Sequence, residues 1–393
     1  MKPETIEQLL QELVQIPSIN PLEQTEFQSP YGESRVTDYL EKWFQAGGFH
    51  CQRQEVYPQR ENIFAYLPAT SGQSQTLWLW EVHQDTVPVA GMTIDPFWGG
   101  INNGRLYGRG ACDVKGGMAA MLTAFEKVSK LDQHPGILLA CTIGEENGYH
   151  GARHLVNSWK QKTFELCPQL PTAAIVAEPT ELQLVVAHKG ALRWKCTTHG
   201  KAAHSSQPEQ GENAIFAMAE VLKALEAYQS EIVPSLTLHP LCGSPSLSVG
   251  TIAGGTSVNT VPAQCVIEID RRILPGEDSQ SVYLALQDYL RDRVANHARL
   301  EHSPPTMFGE TLDFTHNRSL AERLQTIVTE ELGSCRCHGV SFGTDASQFA
   351  KAGIPTVVFG PGSINQAHTE DEWIDLAQLH QAADLLVRFA QEA

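Results

Sequence analysis

Four short apolar runs constrain this chain most: TLWLWEV at 76–82, ILLACTI at 137–143, AAIVA at 173–177 and PTVVFG at 355–360. Each has the length of a strand, shows no two-residue alternation, and gives way at once to polar residues or a turn. Runs of this kind suit strands of a parallel sheet covered on both faces. Between them lie segments of helical period, most clearly VKGGMAAMLTAFEKVSK, where Met118, Met121, Leu122, Phe125 and Val128 recur on one face. Helices are also expected over 3–15, 33–47, 318–331, 345–352 and 375–390, and strands near 50–56 and 61–67. The alternation predicts an α/β fold, an α/β/α sandwich.

Near 187 the pattern changes. A strand in ALRWKCTTHG, a helix over 211–229, strands over 246–253 and 263–272, a helix over 278–296 and a last strand near 299–303 give the order β-α-β-β-α-β. That is the order of a ferredoxin-like domain. The expected organisation is therefore a discontinuous larger domain, 1–186 with 300–393, and a smaller domain inserted at 187–299. A chain of 393 residues also exceeds what one core usually holds.

Composition excludes more than it assigns. No apolar run approaches the roughly 18–20 residues needed to span a bilayer, and MKPETIEQLLQELVQI is an amphipathic helix pattern with acids, not a basic leader. A soluble, cytoplasmic protein without membrane contact is expected. With 28 Lys and Arg against 45 Asp and Glu, the net charge of −17 argues against a nucleic-acid surface. Nine cysteines, mostly inside strand-like runs, suit reduced buried thiols. Cys335-x-Cys337 is the one close pair, open to a metal or redox role.

The acids and histidines that follow the apolar runs carry the chemistry. After TLWLWEV comes His83-Gln84-Asp85, in which the imidazole can face a metal while the Asp85 carboxylate orients it through the other ring nitrogen; a plain surface turn fits the same residues. Asp113, in the glycine-rich GRGACDVKGGM, stands where the helix begins, and a helix N-cap would also use it. Glu145 and Glu146 follow ILLACTI, Glu178 follows AAIVA, and His368 lies in the loop after PTVVFG. In open α/β sheets the carboxyl ends of strands meet at one crevice, and histidines mixed with carboxylates suit divalent zinc or a similar ion. Gly108-x-Gly110 does not make a dinucleotide fingerprint, because Asp113 occupies the position of its third glycine.

HQDTVP at 83–88, GRGACDVKGGM at 108–118, GEENG at 144–148, AEPT at 177–180 and AHTEDEW at 367–373 resemble, in order, the motifs of the M20 metallopeptidase and deacylase family. The resemblance spans essentially the whole chain. It implies two divalent ions, zinc with cobalt or manganese as substitutes, bridged by Asp113. His83 and Glu178 would complete one site, Glu146 and His368 the other. Asp85 would orient His83, and Glu145 would act as general base on a water that attacks an amide carbonyl. HGKAAHSSQPEQGENAI resembles the segment whose histidine reaches the active site of a neighbouring subunit; this points to His204, with His199 as competitor, and to a homodimer formed through the inserted domain, which would also serve as a lid. GGTSVNTVPAQCVIEIDRRILPGE resembles the segment that binds the substrate carboxylate, implying Asn259 and Arg271. Arg272 alternates to the other face of that strand. SFGTDAS resembles the loop whose Gly343 and Thr344 donate to the same carboxylate, although Thr344 or Asp345 would equally cap the following helix.

Within the family, PSINPLEQ and the length look most like the acetylornithine deacetylases. The resemblance thus implies a cytoplasmic amidohydrolase of arginine biosynthesis acting on N-acetyl-L-ornithine. A dipeptidase or carboxypeptidase, a succinyl-diaminopimelate desuccinylase and a metal-binding relative without catalysis are the alternatives.

Overall fold

The protein is described from a computed structural model covering residues 2–22, 24, 26–70, 76–294 and 299–392. The chain divides into two compact units. The larger comprises Met1–Val186, Phe314–His338 and Thr344–Ala393; the smaller comprises Ala187–Asp313 and Gly339–Gly343.

The larger unit is built on the strands of an eight-stranded sheet, ordered His50–Tyr57, Arg60–Leu67, Gly136–Thr142, Leu77–His83, Ala173–Val176, Thr356–Val358, Leu184–His188, Cys337–Val340. Its centre is parallel: Leu77–His83 pairs in parallel with Gly136–Thr142 and with Ala173–Val176, and Thr356–Val358 pairs in parallel with Ala173–Val176. Every residue of Leu77–His83 and of Gly136–Thr142 is buried, which requires cover on both faces. Helices Ile6–Gln15, Gly116–Val128 and Leu376–Gln391 pack on one another, and His150–Gln161 packs with Ala346–Lys351. These apolar runs became central strands because their uninterrupted Val, Ile, Leu and Trp content has no exposed side to serve. A small three-stranded sheet, Trp373–Asp375 beside Arg105–Tyr107 beside Ile101–Asn102, was not foreseen. Its strands of two or three residues are too short to show a period.

In the smaller unit the sheet order is Ser246–Gly254, Gln264–Ile273, Gly190–His199, Arg299–His302, all antiparallel, with Met307–Phe308 also on Gly190–His199. In chain order this is strand 2-3-1-4, with helices Ala214–Ala227 and Ser279–Arg293 in the two crossover positions, the ferredoxin-like arrangement. Leu192, Trp194, Cys196, Ile267 and Ile269 pack against Met218, Val221, Leu286 and Leu290, while Arg193, Lys195 and Glu268 lie on the uncovered face. The unit runs on to Asp313, so the boundary expected at 300 moves. Arg299–His302 and Met307–Phe308 are hydrogen-bonded to Gly190–His199, and strand pairing, not composition, decides their membership. The helix expected over 278–296 is Ser279–Arg293; residues 295–296 lie outside the described residues.

Candidate metal centre

Strand register assembles the centre. His83 is the last residue of its strand and stands opposite Thr142, the last of the next; Glu81 stands opposite Val176, and Val176 opposite Val358. The carboxyl ends of four parallel strands are therefore level, and the loops they release carry Glu145 and Glu146, Glu178, and His368. Asp113 arrives separately, from the irregular turn Ala111–Lys115 that feeds helix Gly116–Val128. Its backbone is extended, at φ −121° and ψ 92°, and the helix start has no side-chain cap. The N-cap use of Asp113 is thereby set aside.

The Asp113 carboxylate is divided between two histidines. Its Oδ1 lies 3.2 Å from His83 Nε2, and its Oδ2 lies 3.2 Å from His368 Nε2. His368 Nε2 is also 3.3 Å from Glu146 Oε2. Two triads result, His83–Asp113–Glu178 and Asp113–Glu146–His368, each with donor atoms within 4.8 Å of one another. Ligand atoms set about 2.0–2.2 Å from a tetrahedral zinc ion are about 3.3 Å apart, so the separations observed match a metal cradle. Among the described residues, buried Glu146 Oε1 has no hydrogen-bond partner, as expected of an oxygen facing an ion. His368 holds φ at +63°, a left-handed conformation unusual for a residue with a Cβ and frequent where function dictates geometry.

Two other buried carboxylates hold the turns that present these groups. Asp85 was expected to orient His83, but His83 Nδ1 is 2.9 Å from the Asp85 backbone carbonyl and 3.7 Å from the carboxylate. The carboxylate instead accepts the backbone N–H groups of Gly144 (2.9 Å), Glu145 (3.2 Å) and Glu146 (3.1 Å), and the Asn20 amide at 2.6 Å. The orientation of His83 thus comes from the main chain, and the Asp85 side chain shapes the GEENG turn. Gly144 opens that turn at φ +72°, where Cβ-bearing residues are disfavoured. Glu372 plays the corresponding part for Asp113: its carboxylate accepts from the N–H groups of Gly110 (3.1 Å), Cys112 (2.9 Å) and Asp113 (2.9 Å), and from Arg109 at 2.5 Å. Glu372 was not singled out from the sequence; it is the last of three consecutive acids in TEDEW, and nothing local separates it from the other two.

The charges do not balance. Burial pushes the Glu145 carboxyl well above its ordinary range, with the Glu178 charge adding to it, and does the same to Glu178, with Asp113 adding. Burial and the Asp113 charge raise Glu146 to about 7. Burial works upward on Asp113 too, but hydrogen bonds from His368 and His83 hold it below the carboxylate range. His368 is raised to about 10 by its bonds to Asp113 and Glu146. Behind the centre, the Thr142 hydroxyl lies 2.5 Å from Glu81 and 3.1 Å from Asp345, and burial lifts Asp345 to about 7 and Glu81 well above its usual range. A crowd of desolvated acids with two histidines is the setting that cations relieve.

The smaller unit treats its expected residues differently. His204 and Asn259 are exposed neighbours: Ser205 N–H donates to the Asn259 carbonyl at 3.0 Å, and His204 bridges Thr260. His204 Nδ1 accepts the Ser206 N–H at 3.1 Å, so the ring proton sits on Nε2, which can donate. His199 instead pairs with Glu301 at 2.7 Å. Arg271, expected to clamp a carboxylate, is 0% exposed and belongs to the core face. Its guanidinium is bound to Glu277 at 2.8 Å and to the Arg272 carbonyl, so its fork is committed internally. Arg272, on the opposite face, is the partly exposed member of the pair and lies 2.9 Å from Asp270. Thr344 is buried and its Oγ1 accepts the Ala346 N–H at 3.2 Å, so its oxygen caps the turn into Ala346–Lys351. Gly343 is half-buried in the segment Gly339–Gly343 of the smaller unit. Among the described residues no helix is long and apolar enough to cross a membrane, and all nine cysteines are free.

Similarity to known proteins agrees with this geometry. Residues 79–392 match peptidase family M20/M25/M40. An acetylornithine deacetylase of Vibrio atlanticus is 31% identical over 361 residues, 91% of this chain and 90% of that protein. The fold is that of aminopeptidase PepT from Bacillus cereus, with TM-score 0.73, 23% identity and coverage of 99% of this chain and 98% of that one. It is also that of a dinuclear metal-binding M20 peptidase from Bacillus subtilis, with TM-score 0.68, 16% identity and coverage of 99% and 98%. The two triads and the ordered motifs thus lie in a chain that belongs to peptidase family M20/M25/M40.

Proposed function

We propose that the protein hydrolyses the amide bond of an N-acylated amino acid, with N-acetyl-L-ornithine as substrate and ornithine and acetate as products. The observation that carries the reading is the division of the two Asp113 oxygens between His83 and His368, which fits a carboxylate shared by two divalent ions. The similarity to an acetylornithine deacetylase supports the choice of acyl group.

His83, Asp113, Glu146, Glu178 and His368 would hold the ions, zinc first and cobalt or manganese in its place. Bound there, such ions polarise a carbonyl oxygen and make water acidic enough to serve as nucleophile near neutral pH. Glu145 shares a turn with Glu146 but stays outside both triads, so its carboxylate is left to take a proton from the attacking water and deliver it to the leaving nitrogen. His204 donates from Nε2 to the oxyanion of the tetrahedral intermediate. Asn259 binds beside it, and the carboxylate of the substrate falls to Arg272, because Arg271 is committed to Glu277. The enzyme works in the cytoplasm as a homodimer formed through the smaller unit, with His204 serving the partner's site.

The test is a panel of N-acetyl, N-succinyl and N-formyl amino acids and simple dipeptides, assayed with zinc, cobalt and manganese. The highest kcat/KM is expected for N-acetylornithine. Preference for a dipeptide would move the protein to the peptidase branch, which the aminopeptidase fold relative also represents. Full activity at near-zero metal content would remove the metal from the reading. Mixing inactive Glu145→Gln and His204→Ala chains should restore part of the activity; verified mixed dimers without recovery would place His204 in its own subunit's site or outside catalysis.

A further inference from the structure

Glu372 is fully buried, yet it neither ligates in a triad nor faces solvent. Its Oε1 accepts the N–H groups of Cys112 and Asp113, both at 2.9 Å; its Oε2 accepts the Gly110 N–H at 3.1 Å and Arg109 Nη1 at 2.5 Å. Every one of these neighbours is a donor, so the pocket is built for an ionised carboxylate. Burial pushes its carboxyl up from the ordinary value, against the pull of the amides and Arg109. The main chain is fixed as well. Glu372 accepts the Gly108 N–H at 3.0 Å through its own carbonyl, and the next residues, Trp373–Asp375, pair with Arg105–Tyr107. One residue, four positions after His368, therefore grips the turn that carries Asp113.

That turn has little support of its own. Asp113 and Val114 have non-helical backbones inside Ala111–Lys115, and Gly110 precedes them at φ +83°, where a Cβ would meet Thr86 Cγ2 at 2.8 Å. Without the carboxylate, the N–H groups of Gly110, Cys112 and Asp113 would lose the acceptor they share, which a buried turn does not tolerate cheaply. The arrangement sets the distance between the Asp113 turn and the loop of His368, the pair that meets at 3.2 Å.

We infer that Glu372 is a positioning residue that preforms the shared-ligand turn before any metal arrives, locking Asp113 to the His368 loop through a carboxylate anchored by Arg109. The inference rests on the metallohydrolase reading for its consequence, though not for its geometry. Because Asp113 belongs to both triads, losing the anchor weakens both ions, whereas losing His368 weakens one.

The first measurement uses the unaltered full chain: hydrogen–deuterium exchange of segment 109–114 after exhaustive chelation and after cobalt loading. The segment should be protected in both states. Free exchange in the metal-free chain would overturn the inference, since the turn would then be organised by metal and not by Glu372. The second compares Glu372→Gln, which keeps the shape but sets an amide N–H₂ against backbone donors, with His368→Ala. In a folded Glu372→Gln chain, cobalt affinity read by competition with a coloured chelator should fall about 10–100-fold at both sites, with faster exchange at 109–114. His368→Ala should weaken one site and leave that exchange unchanged. Unaltered cobalt affinity in folded Glu372→Gln, with only a lower Tm, would make the residue purely structural and sink the proposal. If the variant does not fold, the exchange of the unaltered chain decides. A chain that binds no cobalt at all would overturn the metallohydrolase reading, while the exchange of 109–114 would still report on the anchor.

Discussion

The two units place their chemical groups in opposite ways. In the larger, the acids are buried and over-determined: Asp113 and Glu146 sit on turns whose N–H groups are gathered by Glu372 and Asp85. In the smaller, His204 and Asn259 are exposed on adjoining segments joined by main-chain bonds, with the His204 ring itself held by Ser206. The difference follows from what each must do. Carboxylates whose oxygens crowd within 4.8 Å stay together only if the main chain forces them and a cation repays the desolvation. A group that meets a transient ligand must keep its hydrogen-bonding capacity free, and exposure leaves it free.

Four experiments probe that contrast. Glu145→Gln should leave cobalt binding intact and lower kcat on the order of 10³; near-normal turnover would end its role as proton carrier. His204→Ala should lower kcat by about 10², the scale of one lost oxyanion donor, without changing metal content or Tm; an equal loss of metal would show that the smaller unit's loop supports the cradle and would erase the distinction. Arg271→Met should act on stability, lowering it by about 2–3 kcal/mol by stranding Glu277 beside the core, while Arg272→Ala should raise KM with Tm unchanged. The reverse pattern would restore Arg271 as the substrate ligand.

The smallest effect concerns pH. In the metal-free chain His368 is held up to about 10 and Glu146 to about 7, so at neutrality His368 carries a proton and Glu146 carries one about half the time, and a cation must displace them. Metal affinity should therefore rise from pH 6 to 8 with proton release, measurable by calorimetry in buffers of different ionisation enthalpy. For stability the sign is that of a raised histidine: the His368 contribution is complete below its ordinary value near 6.5 and is lost as pH rises through about 10. The Tm of the metal-free chain should accordingly fall on the alkaline side, and His368→Ala should flatten that fall.

Much of this centre was legible in the chain. The apolar runs are strands because of what they contain, and each hands over to polar residues where the strand ends, so His83, the pair Glu145 and Glu146, Glu178 and His368 could be marked as candidates without coordinates. Misassignments came where one residue's use depends on a partner far along the chain. Asp85 looks like the orienter of His83, two residues away, yet its carboxylate serves amides at 144–146. Arg271 and Arg272 are equivalent in composition, and only the pleat, with Glu277 waiting on the core side, separates them. The boundary drawn at 300 cut through the strand near 299–303 that closes the smaller unit, because membership is a matter of pairing with Gly190–His199.

By itself, the sequence determined the kinds of element, their order and which acids and histidines stand at the strand ends as candidates, because hydrophobic period and strand-end chemistry are local properties. Only the tertiary structure decided which carboxylate each backbone turn would lean on, which arginine would be buried, and that Glu372 would grip the Asp113 turn across more than 250 positions of chain. Those choices are made by hydrogen bonds between groups remote in sequence, and a buried N–H takes whichever acceptor the packing brings within about 3 Å.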